Sequence, residues 1–316
     1  MKSSDPIRPS SRRGASGAWN RLKPVREDPL ESYGLPSKGE TRLNDFKTQE
    51  TYFNRVIERY MKLCALNREE LDRLFASVSQ LTTSDTSLNA SFSSLSLSKH
   101  APKSPAPATT ESIPSNALKP SIDELSTVLA ALRKLREAIT ASNRCDTFAR
   151  RAYYFAIHVS ILCHDWASYI PALHSLLQKI HPRNPLPVHD LKEYVSLLIL
   201  DQACRQADFH AAFATRLHYG VRDFRVDAVL KALVHDNWVM YWRLKKSVDG
   251  YQRALMEFGG TEVRLHALKC LGKTYMSADK GFVERSAGKG WEELKEEGVG
   301  WDLVDGERVA IRKPKS

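Results

Sequence analysis

Trp301-Asp-Leu-Val-Asp-Gly-Glu-Arg-Val-Ala-Ile-Arg312 alternates apolar and polar side chains around Asp305-Gly306. Alternation is the period of a strand with one buried face. Asp-Gly between two such runs signals a hairpin, because glycine accepts the positive φ that tight hairpin turns require. Just upstream the period is different. Val263, Leu265, Leu268, Leu271, Tyr275 and Met276 recur at helical spacing, and a second short amphipathic run covers Trp291–Glu297. The hairpin is the one convincing β-pattern in the 316 residues.

Helix, helix, then hairpin predicts a winged helix over 259–316. Working outward, residues 121–258 read as helix after helix. Ser121-Ile-Asp-Glu124 has the form of a capping box and predicts a helix to about Ala141. Asp146 to His164 is the next, and a third runs from the Asp165-Trp166 corner to Ile180. His181-Pro-Arg-Asn-Pro-Leu-Pro187 breaks the pattern. Further helices are predicted near 188–206, 208–219, 223–235 and 237–257. Paired helices joined by short turns, none able to bury its apolar face alone, predict a helical-repeat stack of the TPR or HEAT kind. No sharp repeat period is present, so the stack is irregular. The fold class expected is therefore mostly α, with a C-terminal winged helix.

Before the stack lie three segments of different composition. Residues 1–45 are rich in Ser, Pro, Gly and Arg and predict a disordered leader, in which Trp19 is a candidate short linear motif. Residues 46–76 carry one broad apolar face and predict a helix. Residues 77–120 are a Ser/Thr/Pro/Ala tract that reads as a disordered linker, with Ser104-Pro105 as either a phosphorylation site or plain spacer.

Net charge is +10, which raises the question of polyanions. Residues 1–120 hold 18 basic and 13 acidic side chains, 121–258 hold 18 and 14, and 259–316 hold 11 and 10. The excess is spread along the chain, so a solvated basic surface is preferred over a dedicated nucleic-acid face, which needs clustered charge. Arg285, Lys289, Arg308, Arg312, Lys313 and Lys315 are the candidate nucleic-acid contacts if the alternative holds. The five cysteines are odd in number and show no Cys-x-x-Cys spacing, so free thiols in a reducing compartment are expected. No apolar run approaches a membrane span and the N-terminus lacks an apolar signal core, which predicts a cytosolic or nuclear protein.

Signatures of catalytic chemistry are sparse. His164-Asp165-Trp166 and His235-Asp236-Asn237-Trp238 place His beside Asp, but adjacent residues rarely present both side chains to one substrate, and no nucleophile motif accompanies them. At helix corners the Asp reads better as a cap and the Trp as an anchor. No zinc spacing occurs, and His174 and His181, two helical turns apart, lack further ligands. Ser286-Ala-Gly-Lys-Gly290 fails as a phosphate loop, because its glycine spacing is wrong and no Ser or Thr follows Lys289. These readings predict a non-enzyme without metal or cofactor.

This order resembles the PCI module found in the proteasome lid, the COP9 signalosome and initiation factor 3. Tyr194-Val-Ser-Leu-Leu-Ile-Leu-Asp-Gln-Ala-Cys-Arg205 is similar to a PCI-type helix. So is the stretch from Arg225 to Val239, a helix followed by an acidic-polar corner and an aromatic. The closing Gly300–Lys315 stretch is similar to the wing and tail of the small subgroup that contains signalosome subunit 8, the proteasome lid's smallest PCI subunit and initiation factor 3 subunit k. The resemblance spans about 121–316. The long leader and Ser/Pro insertion mark a divergent member, and a chain stopping at Ser316 implies no C-terminal bundle helix. The resemblance implies a scaffold subunit whose partners are other PCI-containing subunits, with nucleic acid secondary and no membrane. The alternative is a nucleic-acid adaptor of the Sac3/GANP type. Independently, a small wing leaves an unpaired strand edge that recruits a neighbour. Trp301, Val304, Val309 and Ile311 are the expected interface residues; the competing reading packs Trp301, Val309 and Ile311 on the 263–276 helix.

Overall fold

The computed structural model describes residues 28–68, 71 and 119–312. Trp19, Lys313, Lys315, the Ser104-Pro105 site and the parts of the leader and linker at 1–27 and 77–118 lie outside the described residues. The described chain is mostly helical, with one small antiparallel sheet near its C-terminal end. The helices, in order, are α1 (Phe46–Leu66), α2 (Lys119–Ala141), α3 (Thr147–Leu162), α4 (Trp166–Ser175), α5 (Val188–Leu200), α6 (Phe209–Tyr219), α7 (Phe224–Val234), α8 (Trp238–Ser247), α9 (Gly250–Thr274), α10 (Lys280–Ala287) and α11 (Trp291–Glu296). A π-turn extends α4 through Leu176–Ile180, and another extends α5 through Asp201–Arg205. The strands are β1 (Ser277–Asp279), β2 (Asp302–Val304) and β3 (Arg308–Ala310).

Aspartate punctuates the chain. α1, α3, α4, α6, α7, α9 and α10 each open on an Asp whose carboxylate accepts a backbone N–H from the first turn, and α8 opens on Asn237 in the same way. A short acceptor at this position satisfies amide groups that have no partner within the helix. The two His-Asp corners use the device differently. Asp165 caps α4 through the Ser168 amide at 3.2 Å, while His164 takes the left-handed conformation. In the second corner Asp236 takes the left-handed conformation and Asn237 is the cap, accepting from the Met240 amide at 3.0 Å. The capping role expected of the Asp is thus filled one residue later there.

Several boundaries differ from the sequence expectation. The capping box at 121 is not formed. α2 begins at Lys119, the Ser121 hydroxyl donates to Asn67 Oδ1, and the Glu124 carboxylate is drawn to Arg59. Disorder does not extend over 28–45. Leu30 and Leu43 are buried there, the Tyr52 hydroxyl donates to the Leu30 carbonyl at 3.0 Å, and Arg59 also bonds Asp28 at 2.6 Å. The helix expected at 237–257 ends at Ser247, because Val248 is extended and Asp249 caps a new helix. That new helix, α9, then runs through the expected domain boundary at 258/259. Gly259-Gly260 lies within it where helices touch. A Cβ on Gly259 would stand 2.9 Å from the Tyr241 hydroxyl, and one on Gly260 would stand 3.5 Å from the Trp242 ring.

The apolar side chains form two cores. Fifty buried residues from Leu30 to Met256 make the larger one. Leu271, Ala278, Val283, Ala287, Trp291, Leu294 and Val309 make the smaller, with Leu268, Val299, Trp301, Leu303 and Ile311 packed against it. α9 feeds both, through Leu255 and Met256 at one end and Leu271 at the other. Of its predicted apolar stripe, Leu265, Tyr275 and Met276 are exposed.

The sheet order is β1-β3-β2. β3 lies in the centre and pairs antiparallel with both neighbours, placing Ala278, Val309 and Leu303 in one row. The hairpin turn holds Asp305 at φ 55° and Gly306 at φ 76°, the positive values expected of Asp-Gly. β1 and α10 were not foreseen.

Candidate functional site

Two surfaces of the C-terminal region carry the residues singled out by the sequence. The first is the sheet. Because side chains alternate along a strand, Trp301, Leu303, Val309 and Ile311 share a parity and face the helices. Val309 is 0% exposed and lies on the central strand, so it forms no free edge; Trp301 and Ile311 are half-buried on the same small core. Trp301 rests near Gly272 of α9, where an added Cβ would stand 3.5 Å from its ring. Three of the four expected interface residues therefore serve packing. Val304, at 44% exposure, is the one presented outward. It sits on β2, whose second edge pairs with no strand among the described residues.

The second surface is a groove of about 1040 Å³ between α8, the start of α9 and the α10–α11 segment. Its floor is Trp242, whose indole Nε1–H donates to the Ser286 carbonyl at 2.9 Å. The approach of the two segments requires a glycine. Gly288 caps α10 at φ 70°, and a Cβ there would stand 2.6 Å from the Trp242 ring. Beneath it, the buried Arg264 donates to the Ala287 carbonyl at 3.1 Å. The segment from Ser286 to Gly290 thus joins α10 to α11 and packs onto α8 and α9.

Six cationic side chains line this groove, Arg243, Lys245, Lys246, Arg253, Arg285 and Lys289, against the two carboxylates Glu284 and Glu293. Lys245 pairs with Glu257 at 2.7 Å and lies over the Trp242 ring, 5.4 Å from its centroid. Lys289 pairs with Glu297 at 2.7 Å and Glu293 at 3.6 Å. Its hydrogen bond, assisted by Arg264, holds the Glu297 carboxyl below the ordinary carboxylate range. The Glu284 carboxylate accepts the Trp291 amide at 2.8 Å. Arg253 donates to the Lys245 and Val248 carbonyls, which orients its guanidinium. Arg243, Lys246 and Arg285 are exposed and form no ion pair with a described residue. The groove wall also presents Phe282, set edge-to-face against Tyr275 at 6.0 Å.

Of the basic residues expected to contact nucleic acid, four are described, and of these Arg285 and Lys289 line the groove. Arg308 is exposed on β3, and Arg312 donates to the Gly272 carbonyl at 2.7 Å. Sequence reasoning missed Arg243, Lys246 and Arg253. The signal was the run Arg243-Leu-Lys-Lys246, but charge was counted by segment, and the groove draws on both sides of the 258/259 division.

Elsewhere, Asp165 is fully buried and meets Arg133 at 3.0 Å, and Trp166 packs edge-to-face on Tyr169 and Phe258. His174 bonds Gln178 and His181 accepts the Leu186 amide. Among the described residues no group of three or more His, Cys, Asp or Glu is arranged to hold a metal ion, and no helix is long and apolar enough to cross a membrane. All five cysteines are free. Cys163 and Cys204 are buried, and burial pushes both thiols up to about 12. No family model matches the chain, and a search of the curated proteins finds no match.

Proposed function

We propose that this chain is a non-catalytic assembly subunit of the PCI type, an irregular helical-repeat array closed by a winged helix, which joins neighbouring subunits of a large complex of the COP9 signalosome, proteasome lid or initiation factor 3 kind. One observation carries the reading. From α9 onward the elements run helix, strand, helix, helix, strand, strand, with sheet order β1-β3-β2 and the outer edge of β2 without a strand partner among the described residues. That order, placed after a stack of helices, is the arrangement a wing needs in order to offer an edge for strand addition. An unpaired edge presents a row of backbone donors and acceptors that a neighbour's strand can satisfy.

The test is affinity purification of the tagged full chain, followed by hydrogen exchange of the recovered complex. The expected result is a stoichiometric partner that slows exchange at 302–304. Val304→Lys should release that partner without altering the fold. A strictly monomeric protein, or a complex in which 302–304 exchanges as in the free chain, overturns the reading.

A further inference from the structure

We propose that the groove between α8 and α10 binds the sugar–phosphate backbone of a single-stranded nucleic acid. This goes beyond the assembly role and rests on a different surface. Of the six cations lining the groove, Lys245 and Lys289 are paired with Glu257 and Glu297, and the two lining carboxylates are engaged, Glu284 by the Trp291 amide and Glu293 by Lys289. Three cations, Arg243, Lys246 and Arg285, stand exposed without an ion-pair partner among the described residues. Like charges gathered around one concavity repel one another, and a polyanion that enters relieves the repulsion while releasing its own counterions.

Geometry narrows the ligand. Arg243 and Lys246 lie one turn apart on α8, and Arg285 on α10 lines the same groove. Guanidinium groups grip phosphate oxygens in a two-pronged fashion, and Arg253 is already aimed by its two backbone hydrogen bonds. A trough of this kind takes an extended strand along its length. A duplex is convex and would reach only the rim. Phe282 adds the second half of a single-strand site, since an exposed ring beside a cationic track is a platform on which any base can stack.

The test uses the full-length chain and a fluorescein-labelled oligouridylate of about 15 nucleotides, read by anisotropy. Binding should weaken as salt rises, with a log–log slope of about −0.7 for each phosphate contacted. The triple variant Arg243→Glu, Lys246→Glu, Arg285→Glu should lose about 100-fold in affinity at low salt and show a shallower slope. Its circular dichroism should be unchanged, because the three side chains are exposed. A glutamine triple variant serves if charge reversal impairs folding. Phe282→Ala should cost about 10-fold and leave the slope intact. Lys47→Glu with Arg55→Glu on α1 should bind as the parent does. The proposal is overturned by absence of binding at low salt, by affinity indifferent to salt, or by full binding in the triple variant. It also fails if a duplex binds as tightly, or if phosphatidylserine vesicles or polyglutamate bind where the oligonucleotide does not.

Discussion

The two cores of this chain bear load in different ways. The larger is spread over α1 to α9, so no one side chain is central to it. The smaller rests on seven buried side chains, of which Trp291 is by far the largest, and is closed by a single three-stranded sheet. Buried apolar area scales with the number of layers packed together, and a unit this small has little to spare. Substitutions near the sheet therefore act locally, whereas the effect of equal substitutions in the large core is shared among many helices.

The strongest challenge to that contrast is Trp291→Ala. Loss of a buried indole should cost about 3–5 kcal/mol. Hydrogen exchange should show protection lost over 277–310 while the array stays protected; simultaneous loss in both regions would mean that the two cores are one cooperative unit. Next comes Gly288→Ala, at the seam between them. A Cβ at positive φ, pressed on the Trp242 ring, should cost about 2–3 kcal/mol, measured by denaturant titration with the Trp fluorescence shift as probe. Within the large core, Asp165→Ala removes a cap and leaves the Arg133 guanidinium without its buried carboxylate. It should cost about 2 kcal/mol in a global transition, so a melt confined to α4 would argue against shared load.

A graded test uses alkali. Cys163 and Cys204 titrate in the folded chain at about 12, above the ordinary thiol value of 9.0. A raised pKa favours the folded state only while the thiol is protonated. Its contribution is therefore full below pH 9 and declines as pH rises toward 12, by about 1 kcal/mol per thiol between pH 9 and pH 10. Thermal melts across that range should fall, and Cys163→Ala with Cys204→Ala should make the fall shallower, the remainder coming from tyrosines such as Tyr169, Tyr194 and Tyr241, whose hydroxyls burial also pushes up. The smallest effect is reserved for Val304→Lys, exposed and outside both cores, which should move stability by less than about 0.5 kcal/mol.

What could be read in the sequence follows the same division. The helices of the array were legible because each is long enough to show a period and most open on an Asx residue. The hairpin was legible because Leu303, Val309 and Ile311 alternate across an Asp-Gly turn whose φ values the structure bears out. β1 was not, since three residues show no period. α10 was hidden behind Gly281, Gly288 and Gly290, which look like loop, although Gly288 is what allows close packing on Trp242. The parity rule placed Trp301, Val309 and Ile311 on one face, but only the third strand decides that this face is covered. The basic groove was invisible to a segment-by-segment count, because its cations meet only when α8 is folded against α10.

α9 has a mechanical consequence. At 25 residues it is an uninterrupted rod of about 37 Å, with the large core clamped to one end and the small core to the other. Its Gly259-Gly260 pair is wedged against Tyr241 and Trp242, so the rod has no pivot at the place where the composition would put one. Whatever the sheet grips is consequently held at a fixed reach and a fixed rotational phase from the array. Inserting one residue into α9 would turn the sheet by about 100° relative to the large core.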